Sequence, residues 1–377
     1  MDQAFVIVGG GLAGAKAAET LRAERFGGRV TLIGAEQERP YERPPLSKGL
    51  LLGTASRDEP YVHAPGFYEE HNIELRTGVA VTSVDRSAHV VRTDGGEEIP
   101  YTKLLLATGA TPRRLPGTLS LRTYEDSDRI AAAVTEGTRL AILGAGWIGL
   151  EVAAAARERG ADVTVVTRGT LPLQRVLGVQ MATLFANLHR DHGVSFVDQL
   201  PDGFEADVTL AAIGVTPNDQ LAIDAGLEVE DGILVSSSFR TSDPDIFAAG
   251  DVAAIDHPLL GARVRVEHWA NALNGGPYAA RAMLGQDVRW DHLPYFFTDQ
   301  YDLGMEYAGW VPPDVSPDLV VRGDVEAREF IAFWTTEGRV LAGMNVNVWD
   351  VTDRIQELIR AGEPVDLARL ADPSAPL

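Results

Sequence analysis

Two glycine-rich turns are the residues of this chain best suited to chemistry: Gly9-Gly10-Gly11-Leu12-Ala13-Gly14, and Gly144-Ala145-Gly146-Trp147-Ile148-Gly149. In such a G-x-G-x-x-G turn the first glycine permits a tight bend, the second lets backbone N–H groups reach a pyrophosphate, and the third brings helix close to strand. Each follows an apolar run, Ala4–Val8 and Leu140–Leu143, and each opens an alanine-rich stretch with helix-forming composition. One such turn says little. Two in the same context imply two dinucleotides, and the usual reason to hold both is hydride exchange between a flavin and a nicotinamide.

The elements around the first turn read as a strand over Phe5–Val8, a helix over Leu12–Arg25 and a second strand over Arg29–Ile33. Glu36, about 22 residues past Gly14, stands where a carboxylate accepts hydrogen bonds from an adenosine ribose and repels a 2′-phosphate,. The following Arg39-Pro40-Tyr41-Glu42-Arg43-Pro44-Pro45-Leu46-Ser47-Lys48 cannot form a helix interior and is expected to be a stiff, extended cationic loop,. It is either a plain surface turn or a support for pyrophosphate and flavin ring. A later strand over Lys103–Ala107 ends in the small residues Thr108-Gly109, which allow close backbone approach to a ligand,. Asp251, just past Gly250, is either a helix cap or an acceptor for the ribityl hydroxyls. Trp269–Leu284 reads as a helix whose N-terminal dipole would favour negative charge on a reduced flavin pyrimidine.

The second unit spans Arg139–Val166, and its second strand ends without the expected acid. Thr167-Arg168 stands there instead. A hydroxyl beside a guanidinium admits a 2′-phosphate, while the alternative makes Arg168 a solvated turn residue, so NADH and NADPH both remain open as donors. Beyond about Leu293, short alternating runs followed by a helix over Thr352–Arg360 suggest an antiparallel sheet with a covering helix,.

Bulk properties narrow the function further. The 377 residues suffice for two or three domains, and no apolar stretch approaches the roughly 18 residues a membrane span needs,. With no basic leader, a cytoplasmic location is expected. A net charge of −21 opposes nucleic acid and anionic membrane as partners,. The chain has no cysteine, which excludes disulfides, thiolate-held iron-sulfur clusters and a thiol electron relay,. The scattered histidines lack metal-ligand spacing. Electrons in this protein should therefore ride on organic cofactors.

These residues resemble a known family: the FAD-dependent NAD(P)H-ferredoxin reductases of bacterial oxygenase systems, the putidaredoxin reductase-like members of the pyridine nucleotide-disulfide oxidoreductase superfamily that lack redox cysteines. The resemblance rests on both fingerprints, Arg43-Pro44-Pro45-Leu46-Ser47-Lys48, Ala107-Thr108-Gly109, Leu121-Arg122-Thr123, Gly149-Leu150-Glu151, Gly214-Val215-Thr216-Pro217-Asn218, Ala249-Gly250-Asp251 and Thr298-Asp299-Gln300-Tyr301. It implies an α/β fold with two Rossmann-like nucleotide-binding domains and a small α+β C-terminal domain. The expected bounds are 1–112 with 237–305 for FAD, 113–236 for NAD(P)H, and 306–377 for the last domain.

The resemblance implies FAD on Gly9, Gly11, Leu12, Ala13, Gly14, Glu36, Arg43, Lys48, Val81, Ala107, Thr108, Gly109, Arg122, Gly250, Asp251, Glu267, His268, Trp269 and Phe297. Nicotinamide coenzyme would lie on Gly144, Gly146, Trp147, Ile148, Gly149, Glu151, Thr167, Arg168, Arg175 and Gly214. Lys48 and Glu151 would pair at the reactive edge of the flavin, and a [2Fe-2S] ferredoxin would accept single electrons from a monomer or weak homodimer. Arg263, Arg265 and Arg281 are candidate contacts for it. Rubredoxin reduction and a redox-sensing role like that of apoptosis-inducing factor are the alternatives. Thr167 in place of the usual acid, Phe297 in place of a tryptophan, and short segments over 197–207 and after Leu115 depart from the family pattern.

Overall fold

The computed structural model describes residues 3–167, 169 and 171–377. Ala4–Val8 is buried along its whole length, as a strand covered on both faces must be,. It lies in the middle of a parallel five-stranded sheet, ordered Ile246–Ala248, Lys103–Leu106, Ala4–Val8, Arg29–Ile33, Ile73–Arg76. The order in which the chain adds strands reverses between the parallel strands Ala4–Val8 and Lys103–Leu106, so the crevice of the topological switch point opens at Gly9 and Ala107,. A second parallel sheet, ordered Ser195–Val197, Asp162–Val166, Arg139–Leu143, Val208–Ala211, repeats the plan. Its switch point lies at Gly144 and Ala212.

A pair of short antiparallel strands, Ala110–Pro112 and Val215–Pro217, joins the two units. Asn218 locks this junction: its side chain donates to the Thr108 carbonyl at 2.8 Å and accepts from Thr111 Oγ1 at 2.8 Å, and its carbonyl accepts from Thr108 Oγ1 at 2.7 Å. The two small-residue strand ends are thus tied to each other.

The C-terminal unit is an antiparallel five-stranded sheet, ordered Tyr295–Gln300, Leu303–Gly309, Arg339–Val346, Glu329–Thr336, Asp318–Asp324. The helix Thr352–Ala361 covers one face through Ile355, Leu358 and Ile359. The expected boundary at 305/306 falls inside the strand Leu303–Gly309. Tyr295–Gln300 pairs with that strand in register from Tyr295↔Ala308 to Gln300↔Leu303, so the C-terminal sheet starts about ten residues earlier than expected.

The proline loop also differs from its expected extended form. Pro44–Ser47 is a 3₁₀ turn with proline in its first positions, where the missing N–H costs nothing, and a short helix Gly49–Leu52 follows,.

Helix Leu12–Ala23, which leaves the first fingerprint, crosses helix Trp269–Met283 at very short range. Ala13 and Ala17 lie against Gly276, where a methyl group would be 2.2 Å from the Ala13 carbonyl oxygen. That contact sets how closely the Trp269 helix approaches the fingerprint. Gly276→Ala should therefore force the helices apart and cost about 1–3 kcal/mol. A thermal melt checks this: an unchanged midpoint would show that the helices can separate freely.

Candidate functional site

Both fingerprints build the same backbone cradle. A methyl group at Gly9 (φ +128°) would lie 2.0 Å from the Ala107 carbonyl oxygen, and one at Gly14 would lie 2.1 Å from the Gly9 oxygen. At Gly144 (φ +108°) the corresponding obstacle is the Ala212 oxygen at 2.3 Å, and at Gly149 it is the Gly144 oxygen at 2.4 Å. The middle glycines are different. A methyl group at Gly11 or Gly146 would meet nothing within 4 Å, so those two faces are open to a ligand. The helices that follow, Leu12–Ala23 and Trp147–Glu158, have neither a side-chain cap nor an acid in their first turns. Their free N–H groups are thus available to a pyrophosphate.

Around the first cradle the expected residues converge. Tyr41 and Arg43 both bond to the Glu36 carboxylate, with Arg43 Nη2 2.7 Å from Oε1, and Arg43 Nη1 also donates to the Arg122 carbonyl. Burial raises the Tyr41 phenol. Val81 begins the strand Val81–Asp85, whose approach is fixed by Gly78 N donating to Glu36 O and Val79 N donating to Gly34 O. Ala107 and Gly109 lie at the switch point, but the Thr108 hydroxyl is committed to the domain junction. Asp251 caps no α-helix; it sits in the 3₁₀ turn Gly250–Val252 and accepts from Arg122 Nη2 at 2.8 Å. Gly250, at φ +78°, packs on Ala13.

His268 is the N-cap of helix Trp269–Met283, and Trp269 Nε1 donates to Glu42 Oε2 at 3.0 Å, fastening that helix to the proline loop. Glu267 is exposed and paired at 2.6 Å with Arg265, which also donates to the Asp251 carbonyl. Arg122 Nε and His268 Nδ1 are buried without a protein partner. Two orphaned polar atoms in a crevice beside a glycine cradle are what a polar, ring-bearing ligand would satisfy. The residues present therefore fit FAD: Glu36, the first fingerprint, Arg122, Asp251 and the start of the Trp269 helix are the groups that would hold it.

Between the two cradles, Lys48 Nζ lies 2.8 Å from Glu151 Oε1. Glu151 is buried on the Trp147–Glu158 helix. Ser47 Oγ donates to its Oε2, and Thr298 Oγ1 donates to Oε1 at 2.6 Å. Phe297 forms one wall, with Lys48 Nζ 5.5 Å from its ring centre and Trp269 edge-on at 5.9 Å. Asp299 follows on the same strand face, and desolvation raises its carboxyl while nearby Lys48 opposes that. Ser47, Thr298, Asp299 and Gln300 were not among the expected site residues. The alternation along Tyr295–Gln300, which puts Phe297 and Asp299 on one face and Phe296, Thr298 and Gln300 on the other, is the sequence signal for them.

At the second cradle, Trp147 wedges between Phe185 and Phe296, with ring centres 5.5 and 4.9 Å away, so its side chain serves packing and only its backbone faces the turn. Ile148 is 41 % exposed and Ile213 is 37 % exposed, one on the fingerprint and the other following Ala212 at the switch point. Gly214, at φ +92°, accepts from Arg113 N at the junction. Arg175 is exposed in the first turn of helix Gln174–Asp191. Thr167 is buried, and Arg168 lies outside the described residues. The three arginines expected to face a partner are committed within the chain: Arg263 donates to the Val235 and Ala254 carbonyls, Arg265 pairs with Glu267 and Asp231, and Arg281 pairs with Glu24.

With this geometry in place, residues 3–276 match the pyridine nucleotide-disulphide oxidoreductase family, and residues 295–377 match the family described as reductase C-terminal. The chain belongs to the pyridine nucleotide-disulphide oxidoreductases. It is 39 % identical to the anthranilate 1,2-dioxygenase system ferredoxin–NAD(+) reductase component of Burkholderia cepacia, over 99 % of this chain and 98 % of the relative. It is 34 % identical to putidaredoxin reductase of Pseudomonas putida, covering 99 % and 95 %. Among solved structures it resembles the reductase in the covalent putidaredoxin reductase–putidaredoxin complex, with a TM-score of 0.94, 34 % identity and coverage of 99 % and 97 %. A likeness to the NADH:rubredoxin oxidoreductase of Clostridium acetobutylicum, at 23 % identity and a TM-score of 0.80, concerns the fold alone. Family membership thus accounts for both the paired cradles and the C-terminal sheet. Among the described residues, no helix is long and apolar enough to cross a membrane.

Burial depresses two histidines of this region. His189 falls to about 4, as does His268. Because the folded value lies below the unfolded one, the unfolded chain binds more protons as pH falls from about 6.5 toward 4, and stability is lost across that window. His189→Asn removes one such group, and each tenfold difference in proton affinity between the folded and unfolded chain corresponds to roughly 1.4 kcal/mol at most. The drop in melting temperature between pH 7 and pH 5 should therefore be smaller in the variant, and an equal drop in both proteins would contradict it.

Proposed function

We propose that the protein is a ferredoxin reductase that takes hydride from NADH and delivers single electrons to a [2Fe-2S] ferredoxin supplying an oxygenase, either a cytochrome P450 or a ring-hydroxylating dioxygenase. The observation that carries this reading is the ion pair of half-buried Lys48 with buried Glu151, which joins the flavin-type cradle to the nicotinamide-type cradle. The bound cofactors supply hydride transfer from nicotinamide to flavin and one-electron release. The chain supplies position. Lys48 and Glu151 hold the two units in one geometry, Phe297 and Trp269 wall the ring site, and the two glycine turns orient the pyrophosphates.

With no cysteine, no thiol competes for the electrons. The names of the relatives, a dioxygenase reductase component and putidaredoxin reductase, support an iron-sulfur acceptor. Thr167 in place of an acid should weaken discrimination against NADPH without abolishing the preference for NADH. We further propose a cytoplasmic protein, acting as a monomer or weak homodimer, with domains close to 1–112 plus 237–294, 113–236 and 295–377.

Anaerobic reduction of a panel of [2Fe-2S] ferredoxins by NADH, followed by bleaching of the ferredoxin, tests the reading. Turnover should depend on the ferredoxin, and kcat/KM should be higher with NADH than with NADPH. Rapid flavin reduction without transfer to any ferredoxin would overturn it.

A further inference from the structure

Four side chains beyond the ion pair form a line of hydrogen bonds that ends on Glu151. Thr298 Oγ1 lies 2.6 Å from Glu151 Oε1, Gln300 Nε2 3.1 Å from Thr298 Oγ1, His189 Nε2 2.8 Å from Gln300 Oε1, and Tyr301 OH 3.4 Å from His189 Nδ1. Thr298, Gln300 and His189 are buried. The direction of the line follows from chemistry. The Lys48 ammonium can only donate, so Oε1 is an acceptor and Thr298 must donate to it. Thr298 then accepts from the Gln300 amide N–H, which turns the Gln300 carbonyl oxygen toward His189. His189 must therefore carry its proton on Nε2 and accept on Nδ1. Every donor points toward Glu151, and the depressed His189 keeps the neutral ring that this requires.

The line also crosses three units. Lys48 comes from the proline loop, Glu151 and His189 from the nicotinamide-type unit, and Thr298 and Gln300 from the C-terminal sheet.

We propose that Thr298, supported by Gln300 and His189, is a positioning residue for hydride transfer: its hydroxyl fixes the Glu151 carboxylate, and through Lys48 the separation of the two cofactors. This rests on the ferredoxin-reductase reading above. A tethered carboxylate with one hydrogen bond removed swings, and small misplacements cost large factors in rate.

The experiment compares Thr298→Val, which keeps the shape, with Thr298→Ser, which keeps the hydroxyl, using FAD-loaded protein. Stopped-flow reduction of the flavin by NADH should slow about tenfold in Thr298→Val and recover to within about twofold in Thr298→Ser. The NAD+ dissociation constant should stay within about twofold in both. The long-wavelength charge-transfer absorbance of the reduced flavin with NAD+, which reports stacking rather than turnover, should weaken only in Thr298→Val. Gln300→Met should show the same pattern at about threefold, and it carries the test if Thr298→Val fails to retain flavin. Wild-type rates and absorbance in Thr298→Val, or equal loss in the valine and serine variants, would overturn the proposal alone. Failure of NADH to reduce the wild-type flavin would overturn the reading beneath it.

Discussion

The organisation of this molecule depends on a carboxylate that cannot be buried alone. Glu151 sits inside a helix–sheet interface, where an unpaired charge would be prohibitively costly. It is tolerated because Lys48, Ser47 and Thr298 reach it from two other parts of the chain. The same requirement places the proline loop against the Trp147–Glu158 helix and the first strand of the C-terminal sheet against both. The ion pair is therefore less a source of net stability than a specification of which surfaces must meet.

The duplication of the cradle shows how little the two nucleotide units need to share. In each, a carbonyl from the neighbouring strand end, Ala107 or Ala212, lies so close to the first glycine that no side chain fits, and the third glycine packs on the first. What differs is the surroundings. Glu36, Arg43 and Tyr41 build a polar, charge-balanced wall beside one cradle, while Ile148 and Ile213 leave an apolar rim at the other. A cofactor that stays bound and one that must come and go call for that contrast.

The local features were legible in the sequence because their causes are local. Apolar runs, glycine turns and the acid at Glu36 each act within one strand–helix–strand unit. The Lys48–Glu151 pair joins residues about a hundred positions apart, and no spacing rule reaches that far; only resemblance brought them together. Thr298, Gln300 and His189 were missed for a further reason. Alternation in Tyr295–Gln300 shows that two faces exist, but not which one meets the nicotinamide-type unit. The boundary near residue 305 erred in the same place. Tyr295–Gln300 follows the Trp269 helix in sequence, whereas its pairing partner lies just beyond the two-residue turn Tyr301-Asp302, where Tyr301 takes φ +57°. The opposite error occurred at Pro44–Ser47, where prolines that forbid a helix interior proved suited to starting a turn.

The contribution of the last sheet to Glu151 also orders events in time. When synthesis has produced both nucleotide-binding units, the buried carboxylate has Lys48 and Ser47 but lacks the strand that carries Thr298. Domains emerge and fold from the N-terminus onward. Glu151 thus gains its last partner only when the strand Tyr295–Gln300, at the start of the final fifth of the chain, has been made, and the same strand brings Phe297 against Lys48 and Trp269.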